Sequence, residues 1–368
     1  MVKNVGTWAR GLVGSGGGHS APTRPRTLAP IAIVLLLVMP CDAATFKLFG
    51  SAGAESQFTP ANTGSPLNPD NVARIPRTTN VADATAFLEA AANDRSWKIH
   101  LKLRADSSDR ASDHVRAGEA YLQLNPRPWL DVTAGRIIEK WGTGYAWNPT
   151  GFISPAKNPT DPNDRRSAYR GVDVLKTDLF LRGTNVSLYA MQHQTFAARV
   201  YRLIADTDVS LHYYRNRNGT WQGISAARVF GDSLELHAEV ARRRVVVGTQ
   251  YTFPHNINVV AELYRAGDGL TSKQWDAIRA LAAIDLRSAN REYAPLRMGR
   301  NYSFVRADVP FTKSDLELIA ITNLRDGSSI IRATLSRKLS ANVSAYLIDT
   351  EFAGARDSEL SYMQVRRA

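Results

Sequence analysis

Trp97-Lys-Ile-His-Leu-Lys-Leu-Arg-Ala105 alternates without a break. Successive side chains of an extended chain point to opposite sides. Trp97, Ile99, Leu101, Leu103 and Ala105 therefore share one face, and Lys98, His100, Lys102 and Arg104 share the other. Such a strand meets two different surroundings. A soluble sheet lying on a core satisfies it, and so does a membrane barrel with lipid outside and water inside. The flanking chain decides between them.

Outward from this stretch the pattern repeats. Strands are expected at 44–58, 81–92, 97–106, 115–124 and 129–140. Others are expected at 172–181, 184–192, 197–205, 209–215, 221–230, 234–242, 244–253 and 257–266, and the last at 301–309, 316–323, 330–338, 343–350 and 359–366. The Ala-rich stretch 81–92 fits a helix equally well. The count is about eighteen, within the range of single-chain outer-membrane barrels. Let the first strand start at the periplasm. The turns at 93–94, 125–128, 182–183, 206–208, 231–232, 254–256, 312–314 and 339–341 then gather at one end, all short and mostly built of turn-forming residues. The three long connections, 59–80, 141–171 and 267–300, gather at the other. That asymmetry belongs to outer-membrane barrels and argues against a sandwich. The expected fold is all-β: a transmembrane antiparallel β-barrel of about eighteen strands, its long outer loops partly occluding the lumen. The end of the chain, Tyr362-Met-Gln-Val-Arg-Arg-Ala368, departs from the terminal aromatic usual in such barrels.

Lys3, Arg10, Arg24 and Arg26 precede the apolar run Ile31-Ala-Ile-Val-Leu-Leu-Leu-Val-Met39, and Cys41-Asp-Ala43 fits a small-x-small cleavage site. The run is shorter than the roughly 20 residues a spanning helix needs. Residues 1–43 are expected to be a signal peptide and 44–368 the barrel, in the bacterial outer membrane. Cys41 is the only cysteine, so the rest of the chain has neither disulfides nor Cys-ligated metals. The net charge of +12 favours anionic surfaces, and the export signal turns that preference away from nucleic acid. The expected partners are outer-membrane lipid and lipopolysaccharide, with small solutes or polysaccharide. No cofactor is expected.

The segment 139–171 is too rich in Pro and Gly for a helix or strand, too long for an ordinary connection and too aromatic for disorder. Each Asn-Pro or Asp-Pro pair within it sets a turn. Gly135-Arg136 and Trp141-Gly142, followed by Asn148-Pro149, Asn158-Pro159 and Asp161-Pro162, resemble a pattern in uncharacterised outer-membrane porin-like proteins. The resemblance covers roughly residues 130–175. It implies a barrel related in architecture to channels for small solutes or to barrels for polysaccharide export and surface assembly.

Two groups of candidate site residues follow. Lys98, His100, Lys102, Arg104, Glu235, His237, Glu239, Glu262, Arg306 and Arg332 are expected on inner faces, with a basic wall confronting an acidic one. Trp141, Trp147, Asn148, Lys157, Asp161, Arg165 and Arg166 belong to a loop expected to fold inward and narrow the pore. The function expected is a channel for small hydrophilic, anionic solutes. The alternatives are a surface barrel that binds or exports an acidic polysaccharide, and a structural barrel without a through-pore. An enzyme is not expected. His237-Ala-Glu239 has deaminase-like spacing but no cysteine pair to complete a zinc site. Asp161-Pro-Asn-Asp164 has too few ligands for a calcium loop, and the histidines show no nucleophile–base signature. Within the last long loop, Trp275, Ile278 and Leu281 recur at helical spacing, so 273–284 is expected to be a short helix capped by Ser272.

Overall fold

The computed structural model describes residues 45–56, 58, 61–71, 84–93, 96–108, 111–164, 169–292, 299–355 and 358–362. The expected signal peptide and Arg165 and Arg166 lie outside the described residues. Seventeen strands form one sheet. They are β1 Thr45–Gly53, β2 Ala84–Asn93, β3 Trp97–Ser108, β4 Ala111–Arg127, β5 Leu130–Ile137, β6 Val172–Leu181, β7 Thr184–Met191, β8 Thr195–Ile204 and β9 Thr207–Asn216. They continue as β10 Gly219–Phe230, β11 Leu234–Ala241, β12 Arg244–Thr252, β13 Asn258–Ala266, β14 Asn301–Pro310, β15 Ser314–Asn323, β16 Ser329–Lys338 and β17 Ser344–Ala353. Each strand pairs antiparallel with the next in chain order. The described part of the ambiguous Ala-rich stretch is a strand, Ala84–Asn93, paired with β1 and β3.

Side-chain burial separates the faces. On β11, Leu236 and Val240 are exposed, whereas His237 and Glu239 are buried. On β13, Leu263 is 54% exposed and Glu262 2%. Leu188, Val200, Leu211, Ile224, Val247, Val305, Leu318 and Ile331 continue the apolar outer face from β7 to β16. A polar interior under an aliphatic exterior reverses the order of a soluble domain. It is the order of a barrel in lipid.

The hairpin turns follow from local chemistry. Arg182-Gly183 and Ala205-Asp206 both place two successive residues at positive φ, which matches the twist of two-residue hairpins. The β4–β5 turn lies nearer the C-terminus than the sequence suggests. β4 runs on through Pro126 to Arg127 across a register shift after Leu124, and a proline is tolerated at such an irregularity.

Two expectations need correction. The described part of the eighteenth strand expected at 359–366 is not a strand. Glu359–Tyr362 is a 3-10 turn, and 363–368 lie outside the described residues. The turn forms because Leu360 is buried against the inner wall with Val260, Phe304, Ile319 and Ile330. Glu359 there accepts from Gly299 N–H, Tyr302 Oη and Asn323 Nδ2. The loop helix, α1 (Ser272–Ala282), is capped by Thr271 instead of Ser272, in a reciprocal capping box with Gln274. A second helix, α2 (Leu286–Glu292), follows it. Trp275, Ile278 and Leu270 pack on Leu67, so two of the three long loops meet at one end of the barrel.

Candidate functional site

The second long connection in chain order, 138–171, leaves β5 and enters the space enclosed by the sheet. Its exit is anchored on β4. Opposite Lys102 and Leu103 the β3–β4 register shifts past Gly118, and the Gly118 carbonyl accepts from Gly171 N–H at 2.9 Å. A bulge thus supplies an acceptor that the ladder leaves unused. At the entry, Lys176 bridges Glu139 at 2.6 Å and Asp178 at 3.1 Å.

From there the loop touches the inner face of strands from β7 to β15. Trp141 is 1% exposed. It meets Tyr189 of β7 edge-on at 5.3 Å, with its Nε1–H directed at Tyr189 Oη at 3.4 Å, and it lies 5.1 Å from the ring of His212 on β9. Trp147 stacks on Tyr264 of β13 at 4.7 Å, nearly parallel. Asn163 reaches Glu317 of β15 at 3.4 Å. A single segment in contact with β4 and with β15 requires the sheet to curl around it.

Two buried carboxylates clamp the loop backbone. Glu239 is fully buried and accepts from Gly144 N–H at 2.5 Å and from Thr150 N–H and Oγ1–H at 3.0 and 2.7 Å. Glu262 accepts from Tyr145 N–H and, at 2.8 Å, from Ala146 N–H. His237 stands behind it, with Nε2 2.9 Å from Glu262 and Nδ1 3.4 Å from Glu235. Several donors converging on one buried carboxylate compensate its lost hydration. Gly142 permits the approach. It lies at φ +88, and a Cβ there would sit 2.4 Å from Glu239 Oε1. On the next wall, Arg306 pairs with Glu317 and Asp308 at 2.7 Å each and donates to Tyr145 Oη at 2.5 Å.

The structure thus joins Glu239, Glu262, His237, Glu235 and Arg306 to the loop. Glu239 and Glu262 meet loop amides instead of water. Lys98, His100, Lys102 and Arg104 lie together on the inner face of β3, but away from that clamp. His100 is 3.4 Å from Glu119 of β4 and stacks on Tyr121, and Lys98 lies over the same ring. Arg332 is half-buried on the inner face of β16, opposite Thr350. Lys157 is half-buried and donates to the Gly144 carbonyl. Burial pulls its ammonium below the ordinary lysine range, partly offset by Glu239 and Glu262. Asn148 and Asp161 build turns: Asn148 O accepts from Gly151 N–H, and Asp161 O from Asp164 N–H.

Sequence reasoning missed Glu119, Tyr189, Asp308, Glu317 and Glu359. Glu317 was legible, since it stands between Leu316 and Leu318 in an alternating strand. Glu359 carried no comparable signal.

No family model and no curated protein sequence matches the chain. Among solved structures it is similar to Wzi of Escherichia coli, described as an outer-membrane protein involved in group 1 capsule assembly and a carbohydrate-binding β-barrel. The TM-score is 0.51 at 9% identity, over 85% of this chain and 80% of that one. It is also similar to Pseudomonas aeruginosa OccK11 (OpdR), with a TM-score of 0.50 at 10% identity over 88% and 91%. A Rhodopseudomonas blastica porin aligns at 0.45 with 12% identity over 84% and 94%. At these identities the likeness is one of fold, that of outer-membrane barrels.

Proposed function

We propose that this protein is an occluded barrel of the bacterial outer membrane that holds an acidic polysaccharide at the cell surface. One observation carries the reading: the 138–171 loop crosses the lumen and is clamped there by Glu239 and Glu262, both essentially buried. An open pore needs a continuous aqueous path, and here the central polar groups are spent on the loop backbone. The fold-level likeness to Wzi, a carbohydrate-binding barrel by its own description, and a net positive charge that persists without Lys3, Arg10, Arg24 and Arg26 of the expected signal peptide support a polyanionic ligand.

A second reading, a channel for small anionic solutes with this loop as its gate, is favoured by the basic inner face of β3, where Lys98, His100, Lys102 and Arg104 stand on one side. Single-channel recording separates the two. The wild-type barrel is expected to give no discrete conductance steps, and deletion of 150–163 is expected to create them. Steady steps from the wild type would reject the occluded reading in favour of the channel.

A further inference from the structure

An aromatic series leads from the plug to the outer end of the barrel. Trp141 meets Phe152 at 6.4 Å, Phe152 meets Tyr214 at 6.1 Å, and Tyr214 meets Trp221 at 5.5 Å. Tyr214 and Trp221 are directly paired across β9 and β10. Trp221 shares the inner face with Gly223, the position against which loop residue Thr150 packs. Both rings are half-buried. Above Trp221 stands the guanidinium of Arg242, 4.9 Å from the ring centroid.

Arg242 occupies the β11–β12 turn beside Arg243, and Arg217 occupies the β9–β10 turn. All three are exposed. Neighbouring Arg244 is neutralised by a two-pronged contact with Asp268, at 3.0 and 2.6 Å. Among the described residues, no carboxylate lies within ion-pair distance of Arg217, Arg242 or Arg243. Arg242 also lies within the electrostatic reach of Asp268, but three exposed guanidinium groups on adjacent turns leave this rim net positive, which favours an anion.

We propose that Tyr214, Trp221, Arg217, Arg242 and Arg243 form the binding site for an anionic polysaccharide chain entering from the cell surface. This rests on the occluded-barrel reading. The chemistry argues for a carboxylated sugar. A pyranose ring presents a flat C–H face that an indole covers, with burial of apolar area at little entropic cost. Its carboxylate accepts the paired donors of a guanidinium. Tyr214 and Trp221, the half-buried outer rings of the series, supply platforms for sugar units, and the arginines supply charge at the entrance.

The test uses the full chain in detergent micelles, with alginate oligosaccharide as the anionic probe and dextran as the neutral one, followed by calorimetry. Alginate is expected to bind, more weakly as salt rises, and dextran is not. The pair Arg217→Ala with Arg242→Asn should weaken alginate about tenfold or more, the scale of losing one charge-assisted hydrogen bond. Asparagine is chosen because position 242 lies at φ +54 and it tolerates that region. Trp221→Leu keeps apolar bulk and removes the flat face, and should also weaken binding. Unchanged affinity in these variants overturns the site while leaving the occluded reading intact. Dextran bound as tightly as alginate overturns the anionic class. Co-purifying lipopolysaccharide that alginate does not displace, and that the arginine variants lose, assigns the patch to lipid phosphate and overturns the proposal.

Discussion

A buried carboxylate is costly unless donors surround it. Glu239 has three loop donors around it, and each loses its acceptor in Glu239→Ala. An unsatisfied buried donor costs roughly 1–3 kcal/mol. The expected loss is therefore about 3 kcal/mol or more, read by urea unfolding in bilayers, with new protease cuts within 143–151. Glu239→Gln keeps one acceptor oxygen and should lose less. Gly142→Ala should resemble Glu239→Ala, since its new methyl displaces the same carboxylate. A Glu239→Ala barrel as stable and protease-resistant as the wild type would show that the clamp holds nothing.

At the scale of elements, the loops and turns set the orientation. The connections before β2, β6 and β14 are long and fall at one end, and those before β7, β9 and β11 are short and fall at the other. Outer-membrane barrels put long loops outside. A tag inserted within 267–271 should be reachable on intact cells, and one within 339–341 should not. Reverse labelling would invert the barrel. The loop helices α1 and α2 support this placement. Their apolar sides are occupied by Leu67, Leu270 and one another, as expected of elements that pack on themselves above the membrane.

The whole molecule is organised by its two solvents. Lipid surrounds the aliphatic outer face, and the polar inner face closes on the loop and the C-terminal turn. Leu263 is exposed midway along β13. Exposed positions of soluble proteins accept charge with little effect, whereas arginine at the bilayer midplane costs roughly 2–4 kcal/mol. Leu263→Arg should lower unfolding stability in bilayers by that amount. A loss within about 0.5 kcal/mol would mean that this face does not meet lipid.

The sequence by itself determined the strands, their inward and outward faces and the end at which the long loops gather. Those features rest on period two and on turn chemistry, which neighbouring residues carry. The alternation around Leu236 and His237 needed no partner to be read. Only the tertiary structure decided what fills the lumen. Gly144 and Glu239 are 95 positions apart, and Tyr145 and Arg306 are 161. Nothing local distinguishes a glutamate that faces water from one that clamps a loop. The C-terminal turn escaped for the same reason. Leu360 and Glu359 find their partners on β14 and β15 and in the β15–β16 connection, and short alternation at 359–366 does not reveal whether the chain adds a strand or turns into the barrel. Strand faces follow from where water and lipid lie, whereas the plug depends on which donors and acceptors the closed wall brings within reach.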